Sequence, residues 1–463
     1  MLAWMFTDER WSAARRFLYA GALWALVAGA YDALVWAQRV WPGLLADFPW
    51  TSHGRLVAAA RDLWTFGFLS SLLVGAALRV VGQGERDGLW SEPLANLALW
   101  LWTAAQLLAV WWLGAGWTRG RPFGEAPWPI DLLRLASALL LLWVVKRTLE
   151  RGAAQEPALG SLLFGFAALP VVLVLGKGLF WPFANPYAGV VDALAQSFLR
   201  GGLTWLWCAP LGAGVALYLV AAVAGRPPWA PALVGAAVVA LGALAPLVAP
   251  AAFVWGPVPF WVQTVGAVAQ ALLLLPLVTV LTGIVRPLAG RWEAVREQPG
   301  VAFLLAGWLA VATGAAALAL ASLLGPSRVA HLTLWEEGAR LLVTGGFAAV
   351  AAGAAYTLTP HVLGRALVSR ALAWRHFWVL VGVWALSVPA LLLAGLAQGA
   401  TWATGTVPFA HGAQAAAPFM AVRFAGALGL LGAHGLFAWN LFLTADSGEP
   451  VPAAERELVP VTG

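Results

Sequence analysis

Few side chains in this sequence could hold a transition metal. The chain has six histidines and one cysteine among 463 residues. A copper or iron site needs several imidazole or thiolate ligands that converge on one point. Cys208 stands alone in an apolar run, which excludes an internal disulfide and disfavours a thiolate cluster. His376 is expected to form a hydrogen bond at a span end, and four other histidines are expected on the solvated surface: His53, His331, His361 and His411.

Three further polar residues lie inside apolar runs. They are Asp32, Arg200 and His434. A polar or charged group in hydrocarbon is costly unless it has a partner. We therefore expect Asp32 and Arg200 to pair inside the protein. His434 is expected to form an interhelical hydrogen bond, with metal ligation as the alternative interpretation.

Charged residues cluster at the starts of two apolar runs. Arg61 and Asp62 begin one run, and Glu336, Glu337 and Arg340 begin another. Glu336 and Arg340 are four residues apart and therefore share one helical face. One interpretation is an ionic network inside the protein. The alternative is a set of interfacial charges that face water.

The elements that carry these residues are membrane helices. The chain is 61% hydrophobic and only 10% charged, too little charge to cover a soluble protein of this length. Apolar stretches of about eighteen residues or more recur, and each can cross a bilayer as a helix. The sequence predicts an all-α protein in the lipid bilayer with twelve spans, near residues 17–41, 63–81, 93–116, 132–149, 158–181, 190–223, 231–255, 259–285, 300–325, 338–360, 376–399 and 421–444.

Short loops between the spans indicate one membrane domain. Residues 1–16 are predicted to be a cytoplasmic segment, 17–444 the membrane domain and 445–463 a disordered cytoplasmic tail. Sixteen of the 27 Lys and Arg residues fall on the side of the termini. This excess predicts a multi-pass protein of the cell (inner) membrane with both termini in the cytoplasm. The net charge of +6 is explained in the same way, so no nucleic-acid partner is expected.

Four stretches in order resemble the catalytic subunit, subunit I, of the C-type (cbb) haem–copper oxygen reductases. They are residues 36–68, 189–202, 259–303 and 376–402. The last contains His-Phe-Trp followed by an A-G-x-x-Q-G-x-x-W pattern, which is similar to that of the family. The resemblance implies a fold of the haem–copper oxidase subunit I type.

The family holds a low-spin haem, a high-spin haem and a copper ion with six histidines. Local motif spacing carries none of these six positions onto a histidine in this chain. The active-site tyrosine of the family likewise falls near Ala245, with no tyrosine nearby. Ala and Gly side chains cannot ligate a metal, so the comparison predicts neither haem nor copper. The six positions are Ala60, Gly201, Ala251, Ala252, Gly338 and Arg340.

Loss of large cofactors would leave voids, which cost stability unless side chains, lipid or water fill them. We expect Arg340 to pair with Asp62 or Glu336. We also expect at least one indole to project into the former cofactor volume, because three tryptophans follow the vacant positions at helical spacing: Trp64, Trp205 and Trp255.

Three functions remain open at this point. The first is a catalytically silent subunit I-like protein that serves a structural or assembly role beside other membrane or periplasmic respiratory subunits. The second is a carrier or ion-conducting protein that uses the emptied cavity; a twelve-span facilitator of unrelated fold is a separate alternative outside these three. The third is a cytochrome c oxidase or nitric oxide reductase subunit with unrecognised ligands. Fold analogy alone does not confer activity.

Overall fold

The computed structural model describes residues 8–83, 88–152, 156–181 and 183–452. In these ranges twelve helices are long and apolar enough to cross a membrane, which confirms the predicted all-α class. They are α1 Ser12–Val40, α2 His53–Val81, α3 Glu92–Ala115, α4 Trp128–Leu149, α5 Pro157–Lys177, α6 Gly189–Ala224, α7 Pro231–Phe253, α8 Phe260–Leu288, α9 Pro299–Ser322, α10 Leu334–Leu363, α11 Arg370–Ala403 and α12 Ala410–Ser447.

Several helices extend beyond the predicted apolar runs. Helix α2 begins at His53 rather than at residue 63, and α12 begins at Ala410 rather than at residue 421. The predicted span begins at residue 63, directly after the charged residues Arg61 and Asp62. The helix continues through them because Asp62 is covered by protein, being only 4% exposed.

The limits of the membrane domain also differ from those predicted. Helix α1 begins at Ser12 rather than at residue 17, and α12 continues to Ser447. Beyond it, the amide of Val451 donates to the carbonyl of Gly364 at 2.8 Å, so the start of the predicted tail is held against the α10–α11 loop. Residues 1–7 and 453–463 of the two predicted terminal segments lie outside the described residues.

An even number of spans places both ends of the described chain on one side of the bundle. We call that side the proximal end and the opposite side the distal end. Helices α2, α6, α10 and α12 run from distal to proximal, whereas α1 and α7 run from proximal to distal. The predicted charged cluster at Arg61, Asp62, Glu336, Glu337 and Arg340 therefore lies at the distal end.

Two of these helices contain a wider π-helical turn, over Leu63–Leu69 in α2 and Leu203–Cys208 in α6. Such turns leave backbone carbonyls without their usual helical partners. Ser70 Oγ donates to the carbonyl of Thr65 at 2.7 Å, and Trp207 Nε1 donates to Ser70 Oγ at 2.9 Å. The two irregular turns are therefore joined by hydrogen bonds across the helix pair.

Glycine contacts fix α10 against α9. A Cβ atom added to Gly307 would lie 2.6 Å from the carbonyl oxygen of Gly346, and one added to Gly353 would lie 2.6 Å from that of Gly300. The seven-residue spacing on each helix keeps the small residues on one face. The two backbones can approach this closely only because no side chain separates them.

We expect Gly307→Val to destabilise the protein by at least the ~1–3 kcal/mol of an overpacked core, because the opposing atoms are backbone. Gly382→Val is the matched control, since Gly382 is exposed and has no atom within 4 Å of an added Cβ. Thermal unfolding in detergent measures both. Equal melting temperatures for the two variants would contradict the close α9–α10 contact.

Candidate functional site

Two chambers lie side by side at the distal end. The larger, which we call the arginine chamber, has a volume of about 370 Å³ and lies among α1, α2, α10 and α12. The smaller, which we call the small chamber, has a volume of about 100 Å³ and lies among α6, α7 and α10. Their common wall is formed by Phe123, Arg200, Arg340 and Thr344.

Five of the six positions assigned from motif spacing line these chambers. Ala60 lines the arginine chamber. Gly201, Ala251 and Ala252 line the small chamber, and Arg340 lies on the wall of both. The spacing argument thus brought together residues from α2, α6, α7 and α10 that are far apart in sequence.

The sixth assigned position, Gly338, is elsewhere. A Cβ atom there would meet the side chain of Leu391 on α11 at 3.0 Å, so Gly338 is packed against a helix and lines neither chamber. Residues two apart on a helix lie on nearly opposite faces, so Gly338 and Arg340 cannot both line one cavity. The assignment of Gly338, counted back along α10 from Tyr356 and Pro360, stays a prediction. Neighbouring turns of α10, at Arg340 and Thr344, face the cavities instead.

Two of the three tryptophans line the chambers. Trp64 lies on the wall of the arginine chamber and Trp205 on that of the small chamber, both within the π-helical turns. Trp255 does not: it is 58% exposed, and its indole nitrogen donates to Ser327 at 3.0 Å. Indoles from α2 and α6 thus occupy part of the interior beside the assigned positions.

The start of α10 forms one ionic group. The hydroxyl of Thr333 caps the helix by accepting from the amide of Trp335, which favours acidic residues in the first turn. Arg340 pairs with Glu336, as expected from their spacing. His331 Nδ1 lies 2.6 Å from the other oxygen of Glu336. The prediction that His331 is solvated is wrong, since its side chain is 6% exposed.

The other two residues of the predicted cluster, Arg61 and Asp62, pair with residues outside α10. Arg61 pairs with Glu125 of the α3–α4 loop at 3.3 Å. Asp62 instead accepts two hydrogen bonds from Arg134 of α4, at 2.5 and 2.9 Å. Arg61, Asp62 and the α10 residues therefore do not form a single network. Glu337 is half-buried and lines the arginine chamber together with Arg61.

Asp62 belongs to a buried network among α2, α3, α4 and α5. Gln106 donates to Asp62 at 3.0 Å and accepts from Arg134 at 3.2 Å. Asp131 pairs with both Arg134 and Lys177. All five side chains are at most 4% exposed. Low dielectric makes each of these charges dependent on its partners.

The three intramembrane polar residues have different surroundings. Asp32 pairs with Arg423 of α12 at 2.7 Å, as interior pairing predicted. Arg200 has no ion pair among the described residues. His434 is 2% exposed, and neither ring nitrogen has a hydrogen-bond partner in the described part of the chain. The hydrogen bond predicted for His434 is therefore not found, and its ring packs against Phe68 with centroids 4.8 Å apart.

His376 forms the predicted hydrogen bond, to the hydroxyl of Tyr356 at 3.0 Å, but inside the bundle rather than at its surface. Sequence analysis missed a larger set of distal residues: Arg39, Gln106, Glu125, Asp131, Arg134, Lys177 and Arg423. Apart from the Asp131–Arg134 pair and the contact of Arg39 with Trp36, their partners lie far away in sequence. Polar residues within or beside apolar runs were the only signal that could have marked them.

Glu125, in the distal loop outside the membrane spans, has a carboxyl whose pKa is raised to about 7. Burial is the main cause, and the nearby Arg61 opposes it. One carboxylate oxygen has no hydrogen-bond partner among the described residues. Ionisation of this carboxyl is therefore costly in the folded protein.

The comparisons with known proteins agree with this architecture. Residues 12–429 match the family described as cytochrome c and quinol oxidase polypeptide I. The chain is 26% identical to the Cbb3-type cytochrome c oxidase subunit CcoN1 of Stutzerimonas stutzeri, over 96% of this chain and 97% of that one. It is 24% identical to a cytochrome c oxidase subunit 1 homolog (bacteroid) of Bradyrhizobium diazoefficiens, over 92% and 80%. Its fold is similar to that of a heme–copper terminal oxidase dimer, with a TM-score of 0.68 at 14% identity, covering 93% and 85% of the two chains.

We expect Asp62→Asn to destabilise the protein by about 3–5 kcal/mol, because it leaves the buried Arg134 without its bidentate partner. Asp47→Asn is the matched control, since Asp47 is exposed in the α1–α2 loop. Chemical denaturation in detergent compares the two. A loss for Asp62→Asn no greater than for Asp47→Asn would show that the buried network is dispensable.

Glu125→Gln should change how stability depends on pH. Because the folded pKa of Glu125 lies above that of an ordinary glutamate, the wild-type protein loses stability as pH rises from about 4.5 to 7, and the loss is complete above that. The variant lacks this loss. Its melting temperature relative to wild type should therefore rise from pH 5 to pH 8, and a constant difference would contradict the raised pKa.

Proposed function

Since the chain belongs to the family of cytochrome c and quinol oxidase polypeptide I, we propose that it keeps the subunit I fold without the redox cofactors. In this proposal it is catalytically silent towards oxygen and nitric oxide. It serves as a structural or assembly subunit beside other respiratory membrane proteins.

The observation that carries the proposal is the character of the chamber walls. Positions that resemble the family's ligand positions face real cavities, yet they carry Ala60, Gly201, Ala251 and Ala252. Copper and haem iron need imidazole or a comparable donor with a free electron pair. Within the described residues, no three His, Cys, Asp or Glu side chains come together as a metal site.

The side chains that are present do not fit the missing groups. Arg340 faces both chambers, and its guanidinium is positively charged and has no lone pair to donate. Arg200 adds a second positive charge on the common wall. The donors on the wall of the small chamber, His331 and Glu336, already bind each other, and Glu336 also binds Arg340. A metal cation placed here would meet repulsion from the arginines and too few free ligands. No electron-transfer or oxygen-binding step is therefore assigned to these chambers.

We place the chain in the cell membrane with both termini in the cytoplasm, which puts the chambers on the outer side. The excess of Lys and Arg at the proximal end supports this orientation. Periplasmic or membrane respiratory subunits are then the partners that could meet the distal loops, including the loop that holds Glu125.

Transport through the emptied cavity is the second candidate, and the open arginine chamber is the observation in its favour. The proximal half of the bundle argues against it. There Phe303, Tyr356, His376 and Phe437 pack together, and each is at most 4% exposed. A carrier would have to open this packed layer, whereas a silent subunit would not.

The decisive measurement is the cofactor content of the purified chain. A tagged chain is isolated from its native membranes, separated from partner proteins, and analysed by pyridine haemochrome and by elemental analysis for copper and iron. We expect well under one haem and one copper per chain, because the assigned ligand positions carry no donor.

The matched control is the CcoN1 subunit of Stutzerimonas stutzeri, produced and purified in the same way, which tests whether the procedure preserves bound haem. Stoichiometric haem in this chain would overturn the proposal in favour of an oxidase or nitric oxide reductase subunit with other ligands. Polypeptides that co-purify before the separation step identify the complex in which the chain resides.

A further inference from the structure

The arginine chamber has an excess of positive charge. Two carboxylates, those of Asp32 and Glu337, lie on its wall. Five guanidinium groups lie there as well: Arg39, Arg61, Arg200, Arg340 and Arg423. A concave site with an excess of one sign of charge and low-dielectric walls attracts counter-ions.

Most of these arginines already have partners. Arg423 pairs with Asp32 at 2.7 Å and Arg61 with Glu125 at 3.3 Å. The guanidinium of Arg39 lies 4.2 Å from the ring centroid of Trp36. These contacts hold the positive groups in place around the cavity.

Arg200 is different. It lines both chambers and also the opening at the distal surface in front of α10. Its guanidinium has no ion pair in the described ranges, although Arg61 and Arg340 are close enough to repel it. The one carboxylate that attracts it, that of Glu336, already binds Arg340 and His331. An uncompensated guanidinium inside a membrane bundle is costly, and a bound oxyanion would remove that cost.

Apart from Thr65 and Thr344, the rest of the chamber wall is apolar, and the cationic and apolar parts follow one another along the helices. On α1, Arg39 lies towards the distal surface and Ala28 about three turns deeper. On α12, Arg423 lies two turns distal to Leu430. The cavity therefore has a cationic entrance and an apolar floor, which also includes Trp64. Water would be poorly held at such a floor, because each buried water needs two to four polar partners.

We propose that the arginine chamber binds an acidic amphiphile, whose phosphate or carboxylate group is held by Arg200 and Arg340 while its apolar part packs against Trp64 and Leu430. The proposal rests on the proposed function in one respect, namely that haem does not fill the chamber. An anionic membrane lipid has the required chemistry. A free oxyanion would satisfy the arginines but leave the apolar floor unfilled.

The test is the thermal stability of the full-length chain, delipidated in a neutral detergent. Phosphatidylglycerol, phosphatidylcholine and inorganic phosphate are titrated separately. A ligand that binds only the folded chain raises the melting temperature with its concentration. We expect phosphatidylglycerol to give a saturable rise, and phosphatidylcholine or inorganic phosphate at the same concentrations to give little.

The informative variant is Arg200→Gln. Without lipid it should be as stable as wild type or more stable, because it breaks no ion pair of the described residues and removes repulsion with Arg61 and Arg340. With phosphatidylglycerol it should bind at least about tenfold more weakly, because a hydrogen bond to a charged group is lost. Arg328→Gln is the control, since Arg328 is exposed at the distal surface and outside the chamber wall.

Three results would overturn the inference. One is an equal rise with phosphatidylcholine, and the second is an unchanged phosphatidylglycerol response in Arg200→Gln. The third is a full rise with inorganic phosphate alone, which would replace the amphiphile by a free oxyanion. The absorption spectrum of the same sample reports separately on the proposed function, because bound haem would show in the spectrum whatever the lipid response.

Discussion

A carboxylate or guanidinium within a membrane bundle is stable only beside a group of opposite charge, and the distal half of this protein is arranged around that requirement. Asp62, Arg134, Asp131 and Lys177 pair with one another across two helix contacts, α2–α4 and α4–α5, with almost no exposure to solvent. Asp32 and Arg423 do the same between the first and last helices. These pairs determine which helices meet and at what depth. Arg200 stands out because it lies in the same region without such a partner in the described structure.

Features that depend only on residues close together in the sequence could be predicted. The hydropathy of the runs gave the twelve spans, and the four-residue spacing of Glu336 and Arg340 gave their ion pair. Short motifs that carry their own register also placed Ala60 and Gly201 on cavity walls. Gly338, counted back within α10 from Tyr356 and Pro360, lines neither chamber.

Partners between distant segments could not be predicted in this way. Asp62 and Arg134 are 72 residues apart, and Asp32 and Arg423 are 391 apart. A single sequence states that such charges need partners but does not state which ones. His434 is a different case. Its place in an apolar run suggested a hydrogen bond, but in the described structure its ring packs against aromatic side chains instead. The free-energy cost of burying a polar side chain predicts that it tends to be paired. Which contacts it makes is determined by the tertiary packing.

The glycine contact between α9 and α10 has a consequence for the history of such a fold. Gly307 and Gly346 bring two backbones together without help from anything bound in the chambers. This contact therefore holds α10 against α9 whatever the cavities contain. A scaffold of this kind can change the side chains that line its interior and still assemble. Substitutions that change the cavity walls can then accumulate while the helices keep their arrangement.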